Sequence, residues 1–294
     1  MSRLSYDPTH CTLCPRRCGG DRTRAKGYCR MPDRPVVARA ALHFWEEPPL
    51  SGTRGAGTVF FSGCSLGCVF CQNEAISQRD FGREISVERL REIFWALIDA
   101  GAHNIDLVNP THYAHVVAEA LSQPLPVPVV WNSGGYDRVE TLRALEGTVD
   151  IYLPDYKYPD AQCWAGAADY PQVARAAIQE MVRQTGPYVL DQEGILQRGV
   201  VIRHLLLPGR LNQAKEVMDW VRATFPPHTV LFSLMSQYIP WGRAAEFPPL
   251  ARRLRKREAR AAMAYLENLS LDGFFQGEEA ARAEYIPAFD LTGV

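Results

Sequence analysis

The sequence predicts an α/β protein: a parallel sheet with crossover helices, preceded by a small Cys-rich N-terminal extension. Three observations point there. From Thr58 onward, short β-branched or apolar runs alternate with longer helical patterns. Residues 1–50 show little periodicity and are rich in Cys, Arg, Pro and Gly. Between the two, Glu46 to Gly57 (EEPPLSGTRGAG) reads as a connector, because Pro48-Pro49 and three glycines punctuate it. The chain is therefore divided into a metal-binding extension, 1–50, and an α/β domain with a C-terminal tail, 51–294.

Strands are expected near Thr58–Ser62, Asn104–Val108, Val127–Trp131, Val149–Leu153, Val200–Leu207 and Thr229–Met235. The first helix begins after Ser86, a good N-cap with Glu88 in the first turn, and stops at Gly101. Its apolar stripe is Val87, Leu90, Phe94, Leu97 and Ile98. Further helices are expected near His112–Leu121, Asp137–Leu145, Gln172–Thr185, Asn212–Thr224 and Pro249–Asn268. The last is strongly basic in its first half, which reads as a solvated outer face. Beyond it, Asp272–Gln276 reads as a terminal strand, and Ile286–Asp290 as part of an extended tail along the sheet edge.

Six strand-then-helix units in a row imply parallel strands, since only parallel neighbours need crossovers. Two closures compete: an open doubly wound sheet and a partial (β/α) barrel. No G-x-G-x-x-G follows the first strand, which argues against the dinucleotide-binding version. In a barrel, functional residues collect at the C-terminal ends of strands. Polar clusters fall there repeatedly: Asn109–Tyr113, Asn132–Gly135, Asp155–Lys157, and Arg203 with His204.

Composition narrows the function. Lys plus Arg is 32 and Asp plus Glu is 33, for a net charge of -1, which argues against an electrostatic nucleic-acid binder. No apolar run approaches the roughly 18 residues that span a bilayer, and MSRLSYDPTHC lacks the apolar core of a secretory signal. The expectation is a cytoplasmic protein that binds neither nucleic acid nor membrane; its oligomeric state is not legible.

The eight cysteines are clustered. Cys11, Cys14, Cys18 and Cys29 lie in the basic N-terminal stretch, and Cys64, Cys68 and Cys71 directly follow the first strand. Cys163 stands alone and reads as a packing residue. In a reducing compartment such clusters point to metal ligation before disulfides. Gly63 and Gly67 let the C-x3-C-x2-C loop curl, and three thiolates on one short loop suit three corners of a cubane with one iron left open. The competing reading is a zinc site with a distant fourth ligand. The N-terminal four have no histidine at ligand spacing; they fit either zinc or an auxiliary iron–sulfur cluster, with a slight preference for the cluster.

C-x3-C-x-aromatic-C, with Phe70 as the aromatic, resembles the signature of radical S-adenosylmethionine (SAM) enzymes. Within that superfamily the chain resembles the activating enzymes of pyruvate formate-lyase over roughly Thr58 to Trp241. The resemblance implies a partial (β/α)6 barrel and a [4Fe-4S] cluster on Cys64, Cys68 and Cys71. It implies that SAM on the open iron is cleaved reductively to a 5'-deoxyadenosyl radical, which abstracts hydrogen from substrate. Asp155-x-Lys157 is similar to the family's D-x-K element at SAM, Arg203 to its arginine near the SAM carboxylate, and Asn132-Ser133-Gly134 to the turn that helps hold SAM. In place of the family's Gly-Gly-Glu turn stands Pro110-Thr111-His112, where the Pro110 carbonyl and the Thr111 hydroxyl are candidates to hold the SAM amino group. The resemblance further implies a protein or peptide substrate, with glycyl-radical formation as one outcome, and an electron donor such as flavodoxin or ferredoxin. The alternatives are a radical SAM enzyme acting on a small molecule and a non-catalytic metal-binding scaffold.

Overall fold

The computed structural model describes residues 4–160, 164, 166–277 and 287–294. In chain order the elements are β1 (Val36–His43), α1 (Pro48–Ser51), β2 (Ala56–Phe61), α2 (Glu74–Ser77), β3 (Arg83–Glu84), α3 (Val87–Asp99), β4 (Ile105–Val108) and α4 (Ala114–Ala120). They continue with β5 (Val129–Ser133), α5 (Val139–Ala144), β6 (Ile151–Pro154), α6 (Tyr170–Thr185), β7 (Val189–Leu190), β8 (Leu196–Leu205), α7 (Leu211–Thr224), β9 (Leu231–Met235), α8 (Lys256–Leu269) and β10 (Gly273–Gln276). The strands form one mainly parallel sheet in the order β10-β9-β8-β6-β5-β4-β2-β1-β3, with β7 paired to β8. From β2 to β10 the neighbours follow chain order without reversal, so the sheet has no switch point of the doubly wound kind.

The six expected strands are β2, β4, β5, β6, β8 and β9, within a few residues. The Ser86 cap is present, its hydroxyl accepting from the Arg89 amide at 3.2 Å. The last helix begins at Lys256 rather than Pro249. The Glu258 carboxylate takes the Arg255 amide and the Arg252 guanidinium and so fixes the later start, while Pro248–Leu250 form a short 3-10 turn. Strand β1 was not expected: Val36–His43 pairs antiparallel with β2. The tail also joins this edge, with the Leu291 amide on Ala38 O and the Ala40 amide on Thr292 O. Cys163 and Ile286 lie outside the described residues.

Alternation along the strands separates two cores. Val129, Trp131, Tyr152, Val200, Ile202 and Phe232 face the helices, in the large outer core. Val130, Ile151, Leu153, Leu196, Val201 and Leu231 face the other way, into a small inner core that also holds Leu50. The connector is thus more than a link: Pro48-Pro49 start a one-turn helix that drives Leu50 against the inner faces of β5, β6, β8 and β9. Leu50 is fully buried, and Leu50→Ala is expected to cost about 2–5 kcal/mol in a denaturant titration. A change under about 0.5 kcal/mol, the range of surface substitutions, would contradict this packing.

Candidate active site

The inner core closes one end of the sheet's inner face, and a cavity of about 670 Å³ opens at the C-terminal ends of the strands. Its lining includes Cys68 and Cys71 from the loop after β2, Asn132 from β5, Asp155 and Lys157 from the turn after β6, and Arg203 from β8. It also includes Glu46 and Glu47, just before α1.

Asp155 is the hub. Its Oδ1 accepts from Arg203 Nε at 3.0 Å and its Oδ2 from Lys157 Nζ at 2.5 Å. Burial alone would push the Asp155 carboxyl up, but Arg203 and Lys157 more than offset this and hold it below the usual range. Arg203 Nη2 donates to Asn132 Oδ1 at 2.7 Å, and Arg203 Nη1 lies 3.5 Å from Glu46 Oε2. The turn after β5 presses against this hub. Gly135 has φ +73°, and a Cβ there would lie 2.0 Å from Asp155 O, so only glycine fits.

The three loop thiols lie close enough to act on one another's charge. Burial pushes Cys68 and Cys71 up as thiols, while Lys157 favours the thiolate at both. Cys64 Sγ accepts from the Leu66 amide and Cys71 Sγ from the Ser77 hydroxyl, each at 3.3 Å. Among the described residues no three of His, Cys, Asp or Glu stand at single-ion spacing. Three thiols on one loop that act on one another's charge, two of them accepting hydrogen bonds at sulfur, are a donor set that fits three corners of a cubane cluster. Gly63, at φ +83°, lets the loop meet the N-terminal stretch: a Cβ there would lie 2.6 Å from Cys29 O.

The N-terminal stretch is anchored on this loop. The Cys64 amide donates to Cys29 O at 3.3 Å and Arg16 Nε to Ser65 O at 2.7 Å. Cys11, Cys14 and Cys29 are buried and Cys18 is exposed. Arg22 is buried among them. It donates to Pro32 O and His112 O, lies 3.8 Å from Cys11 Sγ, and stacks over Tyr113 at 5.1 Å. Burial works against this guanidinium, and thiolates at Cys29 and Cys11 would favour it.

Three residues expected at SAM do not line the cavity. The Thr111 hydroxyl donates to Asp137 Oδ1 at 2.7 Å, and the Ser133 hydroxyl to Asp137 Oδ2. His112 is buried with Nε2 at 2.7 Å from Ser62 O; burial pushes its pKa down to about 3, so the ring is neutral. The Pro110 carbonyl accepts from the Tyr113 amide. Asp137 was missed in the sequence, although an acid two residues after a Gly-Gly turn is a signal.

Glu46 and Glu47 were missed as well. Glu47 is 1% exposed, and its Oε2 accepts from Ser233 Oγ at 3.0 Å and Gln276 Nε2 at 2.6 Å. Burial pushes its pKa up to about 7. Asp106, fully buried on β4, is raised well above its ordinary value by burial and by the charge of Glu46. For Asp106 a signal was present, an acid between apolar residues in a strand; Glu46 and Glu47 take their role from tertiary packing. Glu47 binds its proton more tightly folded than unfolded, so its contribution to stability is full below pH 4.5 and is lost as pH rises through about 7. Glu47→Gln is expected to remove a fall of about 3 kcal/mol over that window, read by urea titration at several pH values. An unchanged pH profile in Glu47→Gln would contradict the assignment.

Fold and site together define an α/β protein with a cysteine loop opening on a charged cavity at the strand ends. The chain belongs to the family of an uncharacterized protein of Methanocaldococcus jannaschii, with which it shares 30% identity over 274 residues, 90% of this chain and 76% of that protein. No family model matches the chain. Among solved structures it is similar to a radical SAM methyltransferase from Sphaerobacter thermophilus, at 14% identity and TM-score 0.47, covering 76% of this chain and 68% of that one. It is similar also to SuiB of Streptococcus suis bound to S-adenosylmethionine, at 13% identity and TM-score 0.46, covering 73% of this chain and 48% of that one. Among the described residues no helix is long and apolar enough to cross a membrane.

Proposed function

We propose that the chain is a radical SAM enzyme built on a partial (β/α)6 barrel. The observation that carries this is the placement of the Cys64–Cys68–Cys71 loop at the rim of a cavity that also collects Asp155, Lys157, Arg203 and Asn132. Cys64, Cys68 and Cys71 would hold a [4Fe-4S] cluster, which when bound supplies the electron that cleaves SAM reductively to methionine and a 5'-deoxyadenosyl radical. The chain's own residues bind and orient. Lys157 and Arg203 offer charge-assisted donors to a carboxylate. Asp155 holds both cations in place, and Asn132 Oδ1 anchors one edge of the guanidinium. The donors to Cys64 and Cys71 tune the cluster, since hydrogen bonds to sulfur shift its potential.

In this reading the substrate is a protein or peptide, admitted at the rim, and the electron donor is a flavodoxin or ferredoxin. Glycyl-radical formation is tested by anaerobic incubation with candidate glycyl radical proteins and SAM; an EPR doublet supports it, and its absence leaves hydrogen abstraction from another residue or a small molecule. The N-terminal thiols hold a second metal. A guanidinium buried beside Cys11 and Cys29 needs anionic neighbours, and metal-bound thiolates supply them. Metal analysis of anaerobically purified protein tests both sites. About eight irons per chain indicates an auxiliary cluster, and about four irons with one zinc a structural knuckle. A chain without iron after reconstitution would overturn the proposed function.

A further inference from the structure

The cavity contains more acid than the proposed SAM chemistry uses. Four carboxyls lie in or beside it: Asp155, Glu46 and Glu47 in the lining, and Asp106 behind Asn132, whose Nδ2 lies 3.4 Å from Asp106 Oδ2. Two cations face them, Lys157 and Arg203. Asp155 already engages both, and Glu46 reaches Arg203 at 3.5 Å. Among the described residues Glu47 forms no ion pair, although the charge of Arg203 reaches it; its hydrogen bonds come from the neutral Ser233 and Gln276.

A second observation is independent of charge. Among the described residues, the buried side-chain oxygens without a hydrogen-bond partner include two beside this floor, Asp106 Oδ1 and Gln237 Oε1. Gln237 lines the cavity, with its Nε2 already on Gln276 Oε1 at 2.5 Å. Asp106 is fully buried on the same inner face as Asn132. The Gln237 amide oxygen is an acceptor, so what is missing beside it is a donor. The rim adds a third feature: Phe44 and Trp45 line the cavity while 50% and 60% exposed. Aromatic faces beside carboxylates suit a cationic head on an apolar stem, which packs its methylenes and presents its charge inward.

We infer that the acidic floor seats the positively charged nitrogen of the substrate, an ammonium or a guanidinium, with Glu46, Glu47 and Gln237 as the groups that receive it. Glu47 is suited to this. Burial keeps its carboxyl protonated to about pH 7, and an arriving cation replaces that proton without leaving a bare charge in the cavity. A substrate with a neutral stem of the same length would leave the floor unpaired, which is how such a site rejects the wrong ligand. The inference rests on the proposed function only in calling this ligand the substrate; the binding itself needs no turnover.

The test is calorimetry on the anaerobically reconstituted holoenzyme with SAM present. The probes are N-acetyl-lysinamide, N-acetyl-argininamide and the neutral N-acetyl-norleucinamide, with a lysine-centred pentapeptide and free agmatine as further arms. One of the cationic amides is expected to bind about tenfold or more tightly than the norleucine probe. Glu46→Gln/Glu47→Gln, which keeps size and hydrogen-bonding capacity, should erase that preference while its thermal melt stays cooperative. Tighter binding of the pentapeptide than of agmatine assigns the cation to a polypeptide, and the reverse to a small amine; either supports the floor. Equal binding of cationic and neutral probes would overturn the inference. So would a double variant that loses SAM affinity as steeply as probe affinity, since the floor would then hold SAM. A wild-type protein that binds the cation but no SAM keeps the floor and removes the radical SAM reading.

Discussion

Cys68→Ala is expected to abolish both the cluster and SAM cleavage. Cys68 is buried in the loop after β2, and its thiol shares a charge environment with Cys64, Cys71 and Lys157. A cluster held by three protein thiolates does not survive the loss of a corner. The variant should therefore lose its visible iron–sulfur absorption after anaerobic reconstitution, and 5'-deoxyadenosine formation should fall to background. The substitution shortens the side chain by one sulfur, so far-UV circular dichroism should stay that of the parent. Cleavage retained in Cys68→Ala would remove the ligand assignment.

Lys157→Ala has the next largest expected effect. The Lys157 ammonium donates to Asp155, at the cavity wall beside the thiols. A charge-assisted contact to a ligand carboxylate is worth about 1.5–3 kcal/mol, so SAM affinity should fall about tenfold to a hundredfold. The cluster absorption should remain. Arg203 needs the gentler change Arg203→Lys, because its removal would strand Asp155, Glu46 and Asn132, and an uncompensated buried charge costs about 3–5 kcal/mol. SAM affinity unchanged in both Lys157→Ala and Arg203→Lys would contradict the placement of SAM against these two cations.

The rim of the sheet was legible because it obeys a periodic rule. The strands alternate with helices, and the polar residues that break the apolar pattern at the strand ends, Asn132, Asp155, Lys157 and Arg203, line the cavity. The cysteine loop was legible from spacing alone. Glu46 and Glu47 were not, because they sit in a segment whose role comes from tertiary packing: Leu50 plugs the inner core and so carries the acids onto the cavity floor. No local pattern announces that. Strand β1 was hidden for a related reason: it is an antiparallel addition at the sheet edge, outside the strand–helix repeat, and it follows a loop-like stretch. Thr111 and Ser133 show the opposite limit. Their residue types and positions suit a ligand, yet both hydroxyls are taken by Asp137, a partner that sequence distance does not reveal for Thr111.

The measurement that tests the account most directly is chromatographic detection of 5'-deoxyadenosine from the dithionite-reduced, reconstituted wild-type protein incubated with SAM, with iron and sulfide counted in the same sample. Chemistry at Cys64, Cys68 and Cys71 predicts 5'-deoxyadenosine and methionine in equal amounts, dependent on reductant. A fully loaded and reduced cluster that leaves SAM intact would contradict it and leave the cysteine loop as a non-catalytic iron–sulfur site.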